Sequence, residues 1–199
     1  MSQQLFENDV RFLQRFLKSA GFNPGKIDGI WGSKTDAAED EFIKKSEQIA
    51  ATYGKFHQRS ERNIITLHPK AQEAARQFLK RLQDAGINAR IISGTRTYAE
   101  QDALYAKGRT LPGPKVTNAK GGQSNHNFGI AWDIGVFDSQ GNYQGESPLY
   151  DKAAEVGLVA GLEWGGNWQS FQDKPHYQLI TGLSISKVRE RFENGEFYI

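Results

Sequence analysis

Apolar residues recur at helical spacing in the first part of the chain. Val10, Leu13, Phe16 and Leu17 fall on one face of a helix, with charged residues on its other faces. Gly21 follows at a spacing that suits a helix end. The pattern therefore predicts a short amphipathic helix before residue 21.

Turn-forming residues separate this helix from a second one. The run Asn23-Pro24-Gly25 and the pair Asp28-Gly29 favour tight turns, and Ser33 with Asp36 fits a helix start. We therefore predict a small all-helical domain over residues 1–50. The periodicity then fades into polar residues, which predicts a linker over residues 51–62 that has room for the tail of a preceding helix.

In residues 63–199, apolar residues recur at helical spacing in some segments and at the alternating spacing of strands in others. Helices are predicted from Pro69 and over residues 98–106, 148–159 and 185–192, and strands over residues 89–93, 130–137, 162–164 and 176–180. Strands and helices do not alternate in regular βαβ order. This favours an α+β fold in which helices flank a small antiparallel sheet.

The composition is that of a globular protein without disulfides. Apolar residues make up 38% and charged residues 24% of the 199 positions, and cysteine is absent. A disulfide framework, a thiolate metal site and a cysteine nucleophile are therefore excluded. The net charge of +2 is small and the basic residues are scattered, so we expect no nucleic-acid partner. A monomer is the default expectation.

The sequence shows no targeting pattern. Residues 1–20 lack the apolar core and cleavage site of a secretory signal. No apolar stretch approaches the roughly 20 residues that a membrane span needs. We therefore expect no stable membrane insertion and a protein that is made and kept in the cytoplasm.

Two histidines and an aspartate stand in a pattern that suits a metal ion. A bend at Gly129 could bring the His126 imidazole and the Asp133 carboxylate to one ion, and His176 would come from a neighbouring strand. These ligand types suit Zn²⁺, and three of them leave the fourth tetrahedral position open for water, as in catalytic zinc sites. The sequence therefore predicts a hydrolytic zinc site. The alternative for each residue is an ordinary surface or capping role.

The other two histidines are predicted to be structural or solvated. His68 precedes Pro69 at a helix start, and His57 lies in the predicted linker.

The stretch from Val10 to Ile49 resembles the peptidoglycan-binding domain found at an end of many wall hydrolases. The resemblance rests on Leu13-Gln14, on Gly21-Phe22 and on the run Ile27-Asp28-Gly29-Ile30-Trp31-Gly32-Ser33-Lys34-Thr35. It implies peptidoglycan as a partner, with Trp31 as a contact to it. The alternative is that Trp31 fills a small core and that the segment only adds stability.

The metal-site motifs resemble a second family. The pattern Ser124-x-His126-x-x-Gly129-x-Ala131-x-Asp133, followed by Asp173-x-x-His176, is similar to the zinc peptidases of the D-alanyl-D-alanine carboxypeptidase (VanY-like) family, which share a fold with the hedgehog signalling domain. The runs Glu163-Trp164-Gly165-Gly166-x-Trp168 and Asp173-x-Pro175-His176-Tyr177-Gln178 resemble its L-alanyl-D-glutamate endopeptidase subgroup, known from bacterial wall hydrolases and phage endolysins. The resemblance covers residues 64–178. It implies a catalytic domain over residues 63–199, with His126, Asp133 and His176 as the zinc ligands.

The resemblance also implies roles for two acidic residues. Asp173 takes the place where many relatives have the glutamate that acts as general base, and its side chain is one methylene shorter. It would accept the proton of the attacking water and pass it to the departing amine. Glu163 is a second candidate for the base, and its alternative is a salt bridge at a strand end.

Four further residues are candidates for the substrate side of the site. Arg96, in the run Ser93-Gly94-Thr95-Arg96, matches the family arginine that faces the substrate, where it would steady an oxyanion or hold a carboxylate. Its alternative is a solvated surface arginine. Gln101 and Trp164 are further candidates, although Trp164 could equally pack in the core. Ser124 is expected to orient a ligand or the loop, because no base is spaced to make it a nucleophile.

Together with the metal-ligand pattern, these resemblances imply a zinc-dependent peptidoglycan endopeptidase that hydrolyses the stem peptide, at the bond between L-Ala and D-Glu. The alternatives are a D,D-carboxypeptidase or dipeptidase that acts on the D-Ala terminus, and a non-catalytic wall-binding module. The absence of a signal adds the expectation of a phage endolysin that waits in the host cytoplasm and reaches the wall through a membrane pore.

Overall fold

The computed structural model describes residues 7–199, so the first six positions of the predicted N-terminal domain lie outside the described residues. The helices in the described part are α1 (Glu7–Ser19), α2 (Ser33–Tyr53), α3 (Gln58–Ile64), α4 (Pro69–Asp84), α5 (Tyr98–Ala106), α6 (Leu149–Gly157) and α7 (Ile185–Asn194). The strands are β1 (Ala89–Ser93), β2 (Ala131–Phe137), β3 (Tyr143–Gln144), β4 (Leu162–Trp164) and β5 (His176–Leu179). Short 3₁₀ turns occupy Asn125–Phe128 and Gly165–Asn167.

The structure confirms the α+β prediction. The strands over residues 89–93 and 162–164 and the helix over residues 98–106 have the predicted bounds. Residues 51–62, predicted as a linker with room for the tail of a preceding helix, hold the end of α2 and much of α3, with the non-helical residues 54–57 between them. The helical residues of this stretch include exposed polar side chains such as Gln58 and Arg59, which explains why the sequence shows little apolar periodicity there.

The chain divides into two compact units, and the sheet lies wholly in the unit formed by residues 46–95 and 129–180. All strand pairs are antiparallel, in the order β1-β2-β5-β4, and β3 also pairs with β2. Because side chains alternate along a strand, each strand presents every second residue to the same face. Neighbouring residues of β2 and β5 therefore point to opposite faces of the sheet, and the two faces have different surroundings.

One face of β2 and β5 packs against α4. Trp132 and Tyr177 are paired across the two strands and stack with ring centroids 6.4 Å apart, and Phe78 of α4 lies 4.4 Å from the Tyr177 ring. Gly157 lets α6 approach closely, since a Cβ there would lie 2.4 Å from the Phe78 ring. The resulting core fixes the two strands that carry Asp133 and His176.

The other unit comprises residues 7–45, 96–128 and 181–199 and has an aromatic core. Phe12 of α1 lies 5.3 Å from Phe192 of α7, and Phe128 lies at the same distance from Phe192. The Tyr198 hydroxyl donates a 2.5 Å hydrogen bond to the carbonyl oxygen of Phe128. These contacts anchor the 3₁₀ turn that carries His126.

Within this unit, Gln14 organises the loop between α1 and α2. Its amide oxygen accepts hydrogen bonds from the backbone N–H groups of Asp28 and Gly29, and its amide nitrogen donates to the carbonyl of Ile30. Gln14 is buried, whereas Ile30 and Trp31 are 69% and 37% exposed. The loop therefore presents an apolar tip to solvent, and Trp31 does not fill a core.

Across residues 7–199, none of the helices has the length and apolar character needed to cross a membrane.

Candidate metal centre

Asp133 and His176 face each other across β2 and β5. The two residues are register partners, so their side chains leave the same face of the sheet, opposite to the Trp132 and Tyr177 side chains. The Asp133 Oδ1 and His176 Nδ1 atoms lie 3.2 Å apart. The predicted placement of His176 on a strand beside Asp133 is thus confirmed.

His126 lies in the 3₁₀ turn before β2 and is buried. Its carbonyl oxygen accepts a 3.0 Å hydrogen bond from the Arg96 backbone N–H. The neighbouring Asn127 donates through its side-chain amide to the carbonyls of Arg96 and Thr97, and it accepts from the Gly122 N–H. These bonds hold the turn and thereby fix the position of the His126 imidazole.

The three predicted ligands form one group. His126, Asp133 and His176 each offer one ligand atom, and these atoms lie within 4.8 Å of one another. In the part of the chain that the structure describes, no other cluster of three histidine or acidic residues meets this geometry. Two imidazole nitrogens and one carboxylate oxygen, with two of the residues buried, could hold a metal ion.

The electrostatics at His176 also suit a cation. Burial lowers the pKa of His176, but the hydrogen bond to Asp133 and the negative charge of that carboxylate oppose it, and together with the remaining neighbours they bring the pKa above its usual value. Gln178 and Asp173 shift it in the same upward direction. Surroundings that stabilise positive charge on the imidazole also favour a metal cation.

Asp173 stands beside His176 in a tight turn. The Asp173 carbonyl accepts from the His176 N–H at 3.1 Å, and the Asp173 N–H donates to the Gly165 carbonyl at 3.0 Å. A Cβ at Gly165 would lie 2.6 Å from the Asp173 carbonyl oxygen and 3.1 Å from the His176 Cβ. The absence of a side chain at Gly165 therefore permits the close packing that places Asp173 next to His176.

Glu163 engages both of its carboxylate oxygens with neutral donors. Oε1 accepts from the Trp168 indole N–H at 2.8 Å, and Oε2 accepts from the Gln178 amide at 2.7 Å. Both donors are uncharged, so these contacts do not form the strand-end salt bridge that was the alternative role for Glu163. The Gln178 amide oxygen in turn lies 3.0 Å from His176 Nε2.

Arg96 and Gln101 form a connected pair at the start of α5. The Arg96 guanidinium donates to the Gln101 amide oxygen at 3.2 Å. Gln101 is buried and also donates to the carbonyl of Ala119 at 2.9 Å and to the Thr117 hydroxyl at 3.3 Å. Gln101 thus ties the guanidinium to the loop over residues 107–124.

The remaining predicted residues take different positions. Ser124 opens the 3₁₀ turn, where its carbonyl accepts from the Asn127 N–H. Trp164 is half-buried; its indole N–H donates to the Lys174 carbonyl at 2.7 Å, and its ring packs against Gly166. Trp31 belongs to the exposed loop tip described above and is not part of the His126 cluster.

Sequence reasoning missed two residues around this centre. Gln178 lies two positions after His176 on a strand, and residues at that spacing share a face, so the strand prediction alone could have pointed to it. Asn127 gave no such signal, because its bonds to Arg96 and Thr97 cross 30 residues of chain.

Comparison with known proteins gives matches over both parts of the chain. Residues 117–179 match the model of the D-alanyl-D-alanine carboxypeptidase family, and residues 7–38 match that of a peptidoglycan-binding domain. The first match includes the three residues of the metal cluster, and the second includes the Gln14 loop.

Two individual proteins are similar over longer stretches. The peptidoglycan L-alanyl-D-glutamate endopeptidase CwlK of Bacillus subtilis is 36% identical over 124 residues, which cover 57% of this chain and 74% of the relative. The solved structure of the Serratia marcescens L-Ala D-Glu endopeptidase ChiX is 26% identical, with a TM-score of 0.49, and the match covers 64% of this chain and 90% of that one.

Proposed function

The chain belongs to the D-alanyl-D-alanine carboxypeptidase family of peptidases, and from that premise we propose that it is a zinc-dependent endopeptidase of the peptidoglycan stem peptide. The observation that carries this proposal is the convergence of His126, Asp133 and His176 within 4.8 Å. The scissile bond is proposed to be that between L-Ala and D-Glu, because the relative CwlK bears the name of that activity.

The donor set supports zinc as the metal. Two imidazole nitrogens and one carboxylate oxygen are a ligand set of catalytic zinc, and three protein ligands leave a coordination position open. When bound, zinc lowers the pKa of water and polarises a carbonyl oxygen. His126, Asp133 and His176 would hold it.

Asp173 is proposed as the general base. It lies next to His176 in the turn that Gly165 keeps tight, and its carboxylate would take a proton from the attacking water and return it to the departing amine. Glu163, the other candidate, already accepts hydrogen bonds from Trp168 and Gln178 through both oxygens. These engaged oxygens favour Asp173 over Glu163.

Arg96 is proposed to face the substrate. Its guanidinium is steadied by Gln101, which is buried and tied to the loop. A guanidinium held in this way could bind a carboxylate of the stem peptide or stabilise the oxyanion that develops at the scissile carbonyl. Ser124 is proposed to orient a ligand or its loop, and Trp164 is proposed to line the substrate cleft.

The N-terminal segment is proposed to bind the wall. Residues 7–38 match the peptidoglycan-binding family, and the loop held by Gln14 exposes Ile30 and Trp31. Exposed apolar side chains suit contact with sugar and peptide surfaces. A wall-binding segment in the same chain would raise the effective concentration of the peptidase at an insoluble substrate.

The cleavage site can be tested with defined soluble muropeptides and zinc-loaded protein. Mass spectrometry should find a D-Glu-containing peptide separated from the fragment that keeps L-Ala. Loss of a terminal D-Ala would instead indicate the carboxypeptidase activity for which the matching family model is named. Unchanged muropeptides would support the non-catalytic alternative. Monomeric state, cytoplasmic origin and a role in phage lysis stay predictions from the sequence.

A further inference from the structure

We infer that Glu163 is a positioning residue that acts through Gln178 to decide which nitrogen of His176 carries the proton. This inference rests on the proposed function, because it concerns the imidazole nitrogen that is offered to the metal. It assigns to Glu163 a role other than that of a general base.

The two nitrogens of His176 have different neighbours. Nδ1 lies 3.2 Å from Asp133 Oδ1, on the side of the metal cluster, and Nε2 lies 3.0 Å from the Gln178 amide oxygen. A neutral imidazole has one protonated nitrogen, and only the other one can bind a metal. Metal binding through Nδ1 therefore requires the proton on Nε2.

The orientation of the Gln178 amide sets this choice. An ionised carboxylate only accepts hydrogen bonds, so Glu163 Oε2, 2.7 Å away, requires the NH₂ end of the Gln178 amide. The oxygen end must then face His176, and an amide oxygen also only accepts. His176 must therefore donate from Nε2, which leaves Nδ1 unprotonated.

The surroundings keep Glu163 in place. Its other oxygen accepts from the Trp168 indole N–H, a group that can only donate, at 2.8 Å. Glu163 and Gln178 are register partners on β4 and β5, and Gln178 shares a strand face with His176. Glu163, Gln178 and His176 thus lie on paired strands, and such outer partners orient metal-bound histidines in general.

The variant Glu163→Gln should reverse the direction of the two hydrogen bonds that Gln178 makes, one with residue 163 and one with His176. The new amide oxygen would accept from Trp168, so its NH₂ would face Gln178 and turn that amide around. The Gln178 NH₂ would then face His176 Nε2, which would place the proton on Nδ1. We expect zinc affinity to fall about 10- to 100-fold, the usual cost of losing such an outer partner.

The double variant Glu163→Gln/Gln178→Glu exchanges the amide and the carboxylate between the two strands and should restore donation from His176 Nε2. The new carboxylate on β5 would accept both from the new amide on β4 and from His176 Nε2, while the amide oxygen on β4 would still accept from Trp168. Zinc affinity should return to within a few fold of the wild type. The single variant Gln178→Glu sets two carboxylates against each other and should bind zinc more weakly than the double variant.

The measurement is competition for zinc between the full chain and a chromogenic chelator, with thermal unfolding of each metal-free protein as a check on folding. Equal zinc affinity in wild type and Glu163→Gln would overturn the inference, as would a double variant no tighter than Glu163→Gln. A wild type that takes up no zinc would instead overturn the proposed function, so the two failures are distinguishable.

Discussion

Asp133 Oδ1 and His176 Nδ1 lie 3.2 Å apart because the two residues are register partners on β2 and β5. Their immediate neighbours Trp132 and Tyr177 point to the opposite face and stack in the core. The two candidate ligands are thus placed by the same strand pairing that stabilises the domain. Substitutions in the turns around the site should therefore change chemistry more than folding.

Replacing Asp173 should separate catalysis from metal binding. Asp173→Ala removes the proposed base but none of the three clustered ligands, so zinc content should stay near that of the wild type. Wall lysis, followed as loss of turbidity, should fall about 10²- to 10⁴-fold, the usual contribution of a general base.

The control for this substitution is Asp151→Ala. Asp151 is an exposed carboxylate paired with Lys174, next in sequence to Asp173, and its loss should leave lysis within about twofold of the wild type. Undiminished lysis by zinc-loaded Asp173→Ala would reject the base assignment.

A side chain at Gly165 should disturb the turn that carries Asp173. In Gly165→Ala the added Cβ would meet the Asp173 carbonyl oxygen at 2.6 Å, so the backbone must shift. Displacement of a catalytic group by about 1 Å can cost ~100-fold in rate, and we expect kcat on a soluble muropeptide to fall by about that order.

Gly32→Ala is the matched control for the glycine change. Nothing lies within 4 Å of a Cβ at Gly32, so this variant should keep the wild-type kcat on the same soluble substrate. Equal kcat values for the Gly165 and Gly32 variants would show that the close packing at Gly165 is not needed.

Trp31→Ala should weaken attachment to the wall without affecting the peptidase. Trp31 is 37% exposed at the loop tip, so its removal leaves the folded core intact. Truncating a tryptophan that anchors an interface generally costs more than about 1 kcal/mol, which corresponds to at least ~5-fold weaker sedimentation with insoluble peptidoglycan.

The comparison for Trp31 is Ile43→Ala, another exposed apolar residue, on α2. Both variants should cleave a soluble muropeptide at the wild-type rate, and only the Trp31 variant should lose wall binding. If the two variants bind the wall equally well, residues other than Trp31 make the contact with peptidoglycan.

Much of the site could be predicted because its signals are local. The alternation of apolar and polar residues around Asp133 and His176 predicted both strands, and a strand pattern also states which residues share a face. The ligand types then limited the chemistry. Gly165 was beyond such reasoning, since its effect depends on how closely two turns approach.

The stretch over residues 51–62 shows why the rest could not be predicted. Its polar residues predicted a linker, yet Glu61 accepts two hydrogen bonds, of 2.9 and 2.8 Å, from the fully buried guanidinium of Arg76. Arg76 also donates to the carbonyl of Gly54 at 2.7 Å. Local patterns treat charged residues as solvent-exposed, so a buried arginine that pairs with a distant segment leaves no periodic signal.

His68 should make the fold sensitive to acid. Burial lowers its pKa to about 3, with a smaller effect from Lys70, whereas the unfolded chain has the ordinary value of 6.5. Between these values the unfolded state binds the proton and the folded state does not, so stability is unaffected at pH 7 and falls as the pH drops below 6.5. The slope approaches about 1.4 kcal/mol per pH unit.

His68→Asn should remove this contribution while keeping a cap for α4, because asparagine can accept the hydrogen bond that Lys70 N–H gives to the His68 ring. Urea unfolding from pH 7 to pH 4 should show a shallower loss of free energy in this variant, whatever its stability at pH 7. His57→Asn is the control, since the exposed His57 caps α3 through the same kind of bond. Parallel slopes for His68→Asn and the wild type would show that the buried imidazole does not cause the acid sensitivity.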